Sequence, residues 1–338
     1  MSAPMTLGLI GAGRIGRVHA QNVQQRIQDA RIILVADPNE EAARRCADDF
    51  SVKFAVPDYR TILQSPAVEA VVICSATHTH AQIIAEAAAA GKHIFCEKPI
   101  DHTLPAIDHA LAAVAKAGVK LQVGFNRRFD ANYARVRQAV VTGEIGQPHL
   151  MHIISRDPGP PPADYIKVSG GMFLDMTIHD FDMARFLLGD EVVEVYAAAG
   201  VLVDPQIGAL GDIDTALVTL KFASGAIAVI DNSRRAVYGY DQRVEILGSA
   251  GSVSTANVFP NSAILATADH IHRDLPLNFF MDRYTESYLA EMRAFVNAVR
   301  TDAPVPVSGA DGRVPVVMAI AARASYLDNR PVRLSEIA

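Results

Sequence analysis

The stretch Thr6-Leu7-Gly8-Leu9-Ile10-Gly11-Ala12-Gly13-Arg14-Ile15-Gly16 runs a short apolar strand into a glycine loop and then into an amphipathic segment over 14–25. Gly-x-Gly-x-x-Gly by itself is weak, because glycines also serve ordinary turns. Here it follows a strand and opens a helix whose first amides can hold a pyrophosphate, and Asp37 stands 21 residues after Gly16, at the end of the next strand. Gly11, Gly13, Arg14, Ile15, Gly16 and Asp37 are therefore read as dinucleotide-binding residues. A carboxylate at position 37 accepts from ribose hydroxyls and repels a 2′-phosphate, and the following Pro38-Asn39 offers no cation to attract one. NAD is expected over NADP. The alternative reading is a helix-capping aspartate in a nucleotide-free α/β domain.

Working outward, apolar runs at 32–36, 70–74, 93–96 and 120–124 alternate with helical patterns at 40–50, 79–90 and 104–117, as βαβ units of a parallel sheet do. After Gly143 the texture changes to longer alternating strands at 192–203, 215–222, 226–232 and 243–247, separated by turns such as Ser224-Gly225. The fold expected is α/β: a Rossmann dinucleotide-binding domain over 1–125, then an α+β domain over 126–338 with a large, mostly antiparallel open sheet. A helix at 313–326 is a candidate to pack back on the first domain.

A chain of 338 residues, 50% hydrophobic and 20% charged, is long enough for two buried cores. Its net charge of −6, without a basic cluster, points away from nucleic acid and toward small-molecule partners. The longest apolar stretch, near 81–90, contains Gln82 and Glu86 and is too short to span a bilayer, and no signal peptide is read at the start. Cys46, Cys74 and Cys96 lack metal-knuckle spacing and fit a reducing cytoplasm.

Phe95-Cys96-Glu97-Lys98-Pro99 ends a later strand of the same sheet, so Lys98 is expected where the nicotinamide of a bound dinucleotide lies, with Glu97 beside it. The loop Cys74-Ser75-Ala76-Thr77-His78-Thr79-His80 offers small and hydroxyl residues that let a cofactor approach. Ser75, Ala76, Thr77 and His80 are assigned to the cofactor on that basis. The competing reading is N-capping by Thr77 or Thr79, with His80 only packing. In Asp175-Met176-Thr177-Ile178-His179 the acid and imidazole are four apart and would share a face of one helix. They form either a base dyad or a surface hydrogen-bonded pair; Asp180 and Asp182 could join them in a metal site, but the sequence marks no third ligand, and solvated or capping roles are expected of both. No metal site is assigned.

Together these elements resemble the glucose-fructose oxidoreductase, inositol dehydrogenase and MocA family, over nearly the whole chain. The glycine loop, Asp37, Glu97-Lys98-Pro99, Gly124-Phe125-Asn126-Arg127-Arg128-Phe129 and the segment 170–182 occur in the family's order. Ser155-Arg156-Asp157-Pro158 and Tyr238-Gly239-Tyr240-Asp241 are most similar to its bacterial inositol 2-dehydrogenases. The resemblance implies that Lys98, Asp175 and His179 are catalytic and that Arg127, Asp157 and Tyr240 line the polyol pocket. It implies oxidation of a cyclic polyol, myo-inositol to its 2-keto product, with His179 as base and Lys98 bonding the reacting oxygen. Some inositol dehydrogenases carry His and Asn where this chain has Ser155 and Asp157, so scyllo-inositol and aldoses stay open as substrates. A dinucleotide-binding sensor is the reading outside enzymes. An open sheet with an exposed apolar face implies a homodimer or homotetramer.

Overall fold

A computed structural model describes residues 3–337; the outermost residues of the expected domains, 1–2 and 338, lie outside it. The chain forms two compact units, one running to Phe129 and taking in Glu286–Val316, the other comprising Asp130–Thr285 and the chain from Val317 onward.

The first unit contains β1 (Met5–Ile10), α1 (Arg14–Arg26), β2 (Ala30–Ala36), α2 (Glu40–Asp49), β3 (Phe54–Val56), α3 (Arg60–Gln64), β4 (Ala70–Ile73), α4 (Thr77–Ala89), β5 (His93–Glu97), α5 (Leu104–Ala117) and β6 (Leu121–Gly124). The six strands pair in parallel in the order β3-β2-β1-β4-β5-β6. All residues of β4 and β6 are buried, the continuous apolar reading of a sheet covered on both faces. Strand order reverses between β1 and β4, so the loops at the carboxyl ends of these strands open a crevice suited to a ligand. β3 and α3 were not expected. Both are short, and Phe54 is half exposed, so neither carries a clear apolar period.

The second unit contains α6 (Ala131–Val141), β7 (Pro148–Arg156), α7 (Ala163–Ile166), α8 (Met172–Asp175), α9 (Thr177–Leu188), β8 (Val192–Gly200), α10 (Pro205–Ala209), β9 (Thr215–Phe222), β10 (Ile227–Ser233), β11 (Asp241–Gly248) and β12 (Gly251–Thr255), with β13 (Ile264–Ala266) and β14 (Ile271–Arg273) as a separate hairpin. Its seven-stranded sheet has the order β12-β11-β7-β10-β9-β8-β15, where β15 is Val332–Arg333. Every pair is antiparallel except β10 with β7. The expected largely antiparallel sheet is present, and the unexpected β7 lies inside it, between β11 and β10.

Two long helices are shared by the units. In α11 (Phe280–Arg300), the turn at Tyr284 leaves helical geometry (φ −115°, ψ 17°), just before the boundary at Glu286. Beyond it Leu289, Met292, Phe295 and Val296 fill the core of the first unit with β1, β2 and α1. In α12 (Gly309–Asp328), a side chain at Gly312 would collide with Ile100 and Val123, so glycine lets this end of the helix lie against the first unit.

Candidate active site

The glycine loop is built by steric necessity. Gly11 has φ +98°, and a Cβ there would sit 2.6 Å from the backbone of Cys74 and Ser75. A Cβ on Gly16 would lie 2.0 Å from the Gly11 carbonyl oxygen, so this residue permits the close start of α1. Gly13 faces open space, with nothing within 4 Å of where its Cβ would be. Among the described residues no side chain caps α1 at Gly13, as a helix start that takes a ligand requires. This cradle fits a pyrophosphate. Asp37 closes it from the second strand, its carboxylate accepting from the Ala12 amide at 2.8 Å and the Asn39 amide at 2.8 Å.

The loop after β4 lies against Gly11, and Ser75 Oγ shares a 2.7 Å hydrogen bond with Thr79 Oγ1. Neither Thr77 nor Thr79 is the N-cap. Ala76 holds that place without a side-chain bond, and the Thr79 hydroxyl instead donates back to the Ala76 carbonyl at 2.7 Å. His80 is buried, with Nδ1 2.9 Å from the Pro99 carbonyl oxygen and Nε2 2.9 Å from that of Ser75. Burial lowers its pKa against the pull of the two carbonyls. The ring thus ties the Ser75 loop to the turn that carries Lys98. Glu97 ends β5 with its carboxylate turned inward, 2.7 Å from Nε2 of His19 on α1. The cofactor candidates Gly11, Gly16, Asp37, Ser75, His80 and Glu97 therefore belong to one connected set at the carboxyl edge of the parallel sheet. Burial pushes the thiols of Cys74 and Cys96 well above their ordinary pKa, which removes thiolate chemistry from this edge. Arg127 follows β6 in a 3-10 turn and is buried, 5% exposed.

In the second unit the expected single helix bearing Asp175 and His179 is interrupted. Asp175 closes α8, and His179 stands in the first turn of α9, with Met176 between them at φ −99°, ψ −60°. Asp175 accepts from the Tyr165 hydroxyl at 2.8 Å and from Arg234 Nη1 at 3.3 Å. Arg234 is 1% exposed and also reaches Asp212 at 3.4 Å. Asp212 in turn accepts the Met172 amide at 3.0 Å, at the start of α8.

The residues flanking His179 are clamped to the sheet. The Thr177 hydroxyl donates to Asn232 at 2.7 Å, and the Asn232 amide donates to Asp180 at 2.8 Å and to the Ser155 carbonyl at 3.1 Å. Asp180 and Asp182 are fully buried, not solvated. Asp157 follows β7 with its backbone held on both sides, its amide donating to the Ser233 carbonyl at 2.9 Å and its carbonyl accepting from Ala236 at 2.6 Å. Tyr240 is buried, outside any strand, its ring edge-on to Tyr284 at 6.0 Å and its amide donating to the Leu277 carbonyl at 3.0 Å. Its neighbour Asp241 is enclosed: burial raises its pKa, but bonds from Arg243, Tyr238 and Asn257 outweigh this and hold it at about 2.

The reading from sequence missed His19, Tyr165, Asp212, Asn232 and Arg234. Only His19 left a signal, three residues after Gly16 on the buried face of α1.

Residues 5–125 match the model of an oxidoreductase family with an NAD-binding Rossmann fold, and residues 133–254 match the GFO/IDH/MocA C-terminal domain. The chain belongs to this family. Among its relatives, a myo-inositol 2-dehydrogenase of Thermotoga maritima is 47% identical over 98% of this chain and 99% of its own length. An inositol 2-dehydrogenase of Rhizobium meliloti is 48% identical over 97% and 98%. The crystal structure of scyllo-inositol dehydrogenase from Lactobacillus casei, with bound NAD(H) and scyllo-inositol, is 30% identical and superposes with a TM-score of 0.92 over 98% of this chain and 99% of that one. As a GFO/IDH/MocA oxidoreductase, the chain is an NAD-dependent enzyme. No helix among the described residues is long and apolar enough to cross a membrane.

Proposed function

We propose that the protein oxidises one ring hydroxyl of a cyclic polyol, converting myo-inositol to 2-keto-myo-inositol with NAD. The observation that carries this is near-full-length identity of 47% and 48% to relatives named inositol 2-dehydrogenases, in a chain whose glycine cradle and Asp37 fit that cofactor. When bound, NAD supplies the hydride acceptor. His179 takes the hydroxyl proton, Asp175 orients the imidazole, and Lys98 donates to the oxygen as negative charge grows on it. Arg127, Asp157 and Tyr240 hold the remaining hydroxyls, giving the dense polar lining needed to reject analogues lacking one. Gly11, Gly13, Arg14, Ile15, Gly16, Asp37, Ser75, Ala76 and Thr77 hold the dinucleotide, with His80 and Glu97 fixing the loops behind it. The test is NADH formation from myo-inositol, scyllo-inositol, chiro-inositols, glucose and xylose. Turnover on myo-inositol supports the reading, whereas activity on a pyranose alone moves the substrate, and silence despite tight NAD binding overturns it in favour of a sensor.

Asp37→Ser is expected to weaken NAD binding and relax rejection of NADP. Serine loses the charge that repels a 2′-phosphate, and its one hydroxyl cannot serve both the Ala12 and Asn39 amides. An unchanged NAD-to-NADP ratio of kcat/KM contradicts the assignment.

We also assign the protein to the cytoplasm, in inositol catabolism, as a homotetramer or homodimer joined through the seven-stranded sheet. Leu247, Leu150 and Ile227 pair across three strands as one row, and all three are exposed, with Leu217 exposed on the same sheet. An apolar row of this kind is expected to be covered by a second copy. Light scattering at micromolar concentration should give a multiple of the chain mass, and a monomer contradicts it.

A further inference from the structure

Behind the turn that carries Lys98 lies a cluster whose His19 and Glu291 take no part in the reaction as proposed. His19, Glu97 and Glu291 each place a polar atom within 4.8 Å of the others. His19 and Glu291 are fully buried, and Glu97 nearly so. Aromatic rings close the space around His19, with Phe95 at 5.0 Å and Tyr288 at 5.9 Å, and Phe295 packs on Phe95. Among the described residues, Cys96 on β5, Cys74 after β4, His80 on α4 and Tyr288 on α11 are other titratable groups facing the cluster. Gln122 on β6 fixes the Glu291 backbone, donating to its carbonyl at 2.9 Å. A side chain at Gly124 would meet the Glu97 carboxylate at 3.1 Å, so glycine leaves that carboxylate room.

The two acids are unequal. Glu97 shares a 2.7 Å hydrogen bond with Nε2 of His19, while neither oxygen of Glu291 has a hydrogen-bond partner among the described residues. A buried carboxylate without donors, facing a second carboxylate, is disfavoured twice, by lost hydration and by like charge. We propose that Glu291 holds a proton at neutral pH beside an ionised Glu97, so that His19, Glu97 and Glu291 form a buried triad with one negative charge that fixes the turn carrying Lys98. Burial and the charge on Glu97 both push the Glu291 carboxyl well above its ordinary range, in line with this. Two carboxylates and an imidazole are also a donor set for a divalent cation. With Glu97 ionised, the His19 nitrogen facing it carries the proton, so a cation would have to displace that proton as well.

The positioning role rests on the proposed role of Lys98, but the protonation state does not. Infrared spectroscopy of the ligand-free protein at neutral pH should show the carbonyl band of a buried protonated carboxyl, absent from Glu291→Gln. The unfolded chain releases this proton in the ordinary glutamate range, whereas the folded chain keeps it to higher pH. Stability therefore falls as pH rises through that interval, by up to about tenfold in the folding constant per pH unit, and Glu291→Gln removes this slope. Equal slopes with no such band overturn the proposal, as does one equivalent of metal retained by the native protein and lost from the variant. A Gln variant that fails to fold also counts against it, since an uncharged isostere replaces an uncharged group. For positioning, Glu291→Leu should lower kcat at least about tenfold with the Kd for NAD within about twofold, and Gln should restore most of it. A Leu variant as active as the Gln variant overturns the positioning role alone.

Discussion

Lys98→Met is expected to lower turnover on a polyol by about 10³-fold while leaving NAD affinity within a few-fold of the native value. Methionine keeps much of the length and the apolar stem of lysine, so packing at the end of β5 survives and the cationic head is lost. That head stands one residue beyond β5, on the side of the sheet after the strand order reverses. In a doubly wound fold this edge serves the nicotinamide half of a dinucleotide, away from the glycine cradle and Asp37, which hold the other half. The loss should fall on the chemical step because charge develops on the reacting oxygen only as the hydride departs. A variant that lost NAD affinity and turnover equally would mark Lys98 as a cofactor ligand, and one with native kcat would remove it from the mechanism. Steady-state rates paired with NAD titration by fluorescence separate these outcomes.

How much of this was legible from sequence differs between the two units for a physical reason. A parallel strand buried on both faces must be apolar throughout, and a glycine that would collide with the next loop admits no side chain. Both constraints are local, so 6–16, Asp37 and the strand ending in Glu97 could be read directly. The segment bearing Asp175 and His179 was legible only in part. Their spacing sets them four residues apart, but nothing local marks the break at Met176, where α8 and α9 part. β7 was hidden because His149 and Leu150, on opposite faces, are both exposed, which breaks the alternation at its start. Arg234 was invisible, since in Asn232-Ser233-Arg234-Arg235 it looks like solvated polarity after a strand, and only tertiary packing makes it one of the largest buried side chains. Glu291 was hidden in the same way: one acid on an amphipathic helix gives no sign that it faces Glu97.

Arg234→Met should destabilise the second unit by about 3 kcal/mol and cut turnover at least about tenfold. The guanidinium joins Asp175 at 3.3 Å and Asp212 at 3.4 Å, with the two carboxyl side chains only 13% and 11% exposed. Removing a buried cation costs more than the pair contributed, because two carboxylates are left facing each other with poor hydration. Asp212 would still accept from Met172 and Asp175 from Tyr165, which places the loss at the lower end of the range for broken buried pairs. The catalytic effect follows from geometry. Asp175 is held by Tyr165 and by Arg234, and a carboxylate free to turn would serve poorly in the proposed role of orienting the His179 imidazole. Arg234→Lys restores charge but not the fork that reaches both acids, so it should recover stability more fully than turnover. Urea unfolding and kcat, measured on both variants, test the two halves separately. If the Met variant unfolds at the native urea midpoint, the ion pairs carry no net stability, and if its kcat is also native, Asp175 needs no support from Arg234.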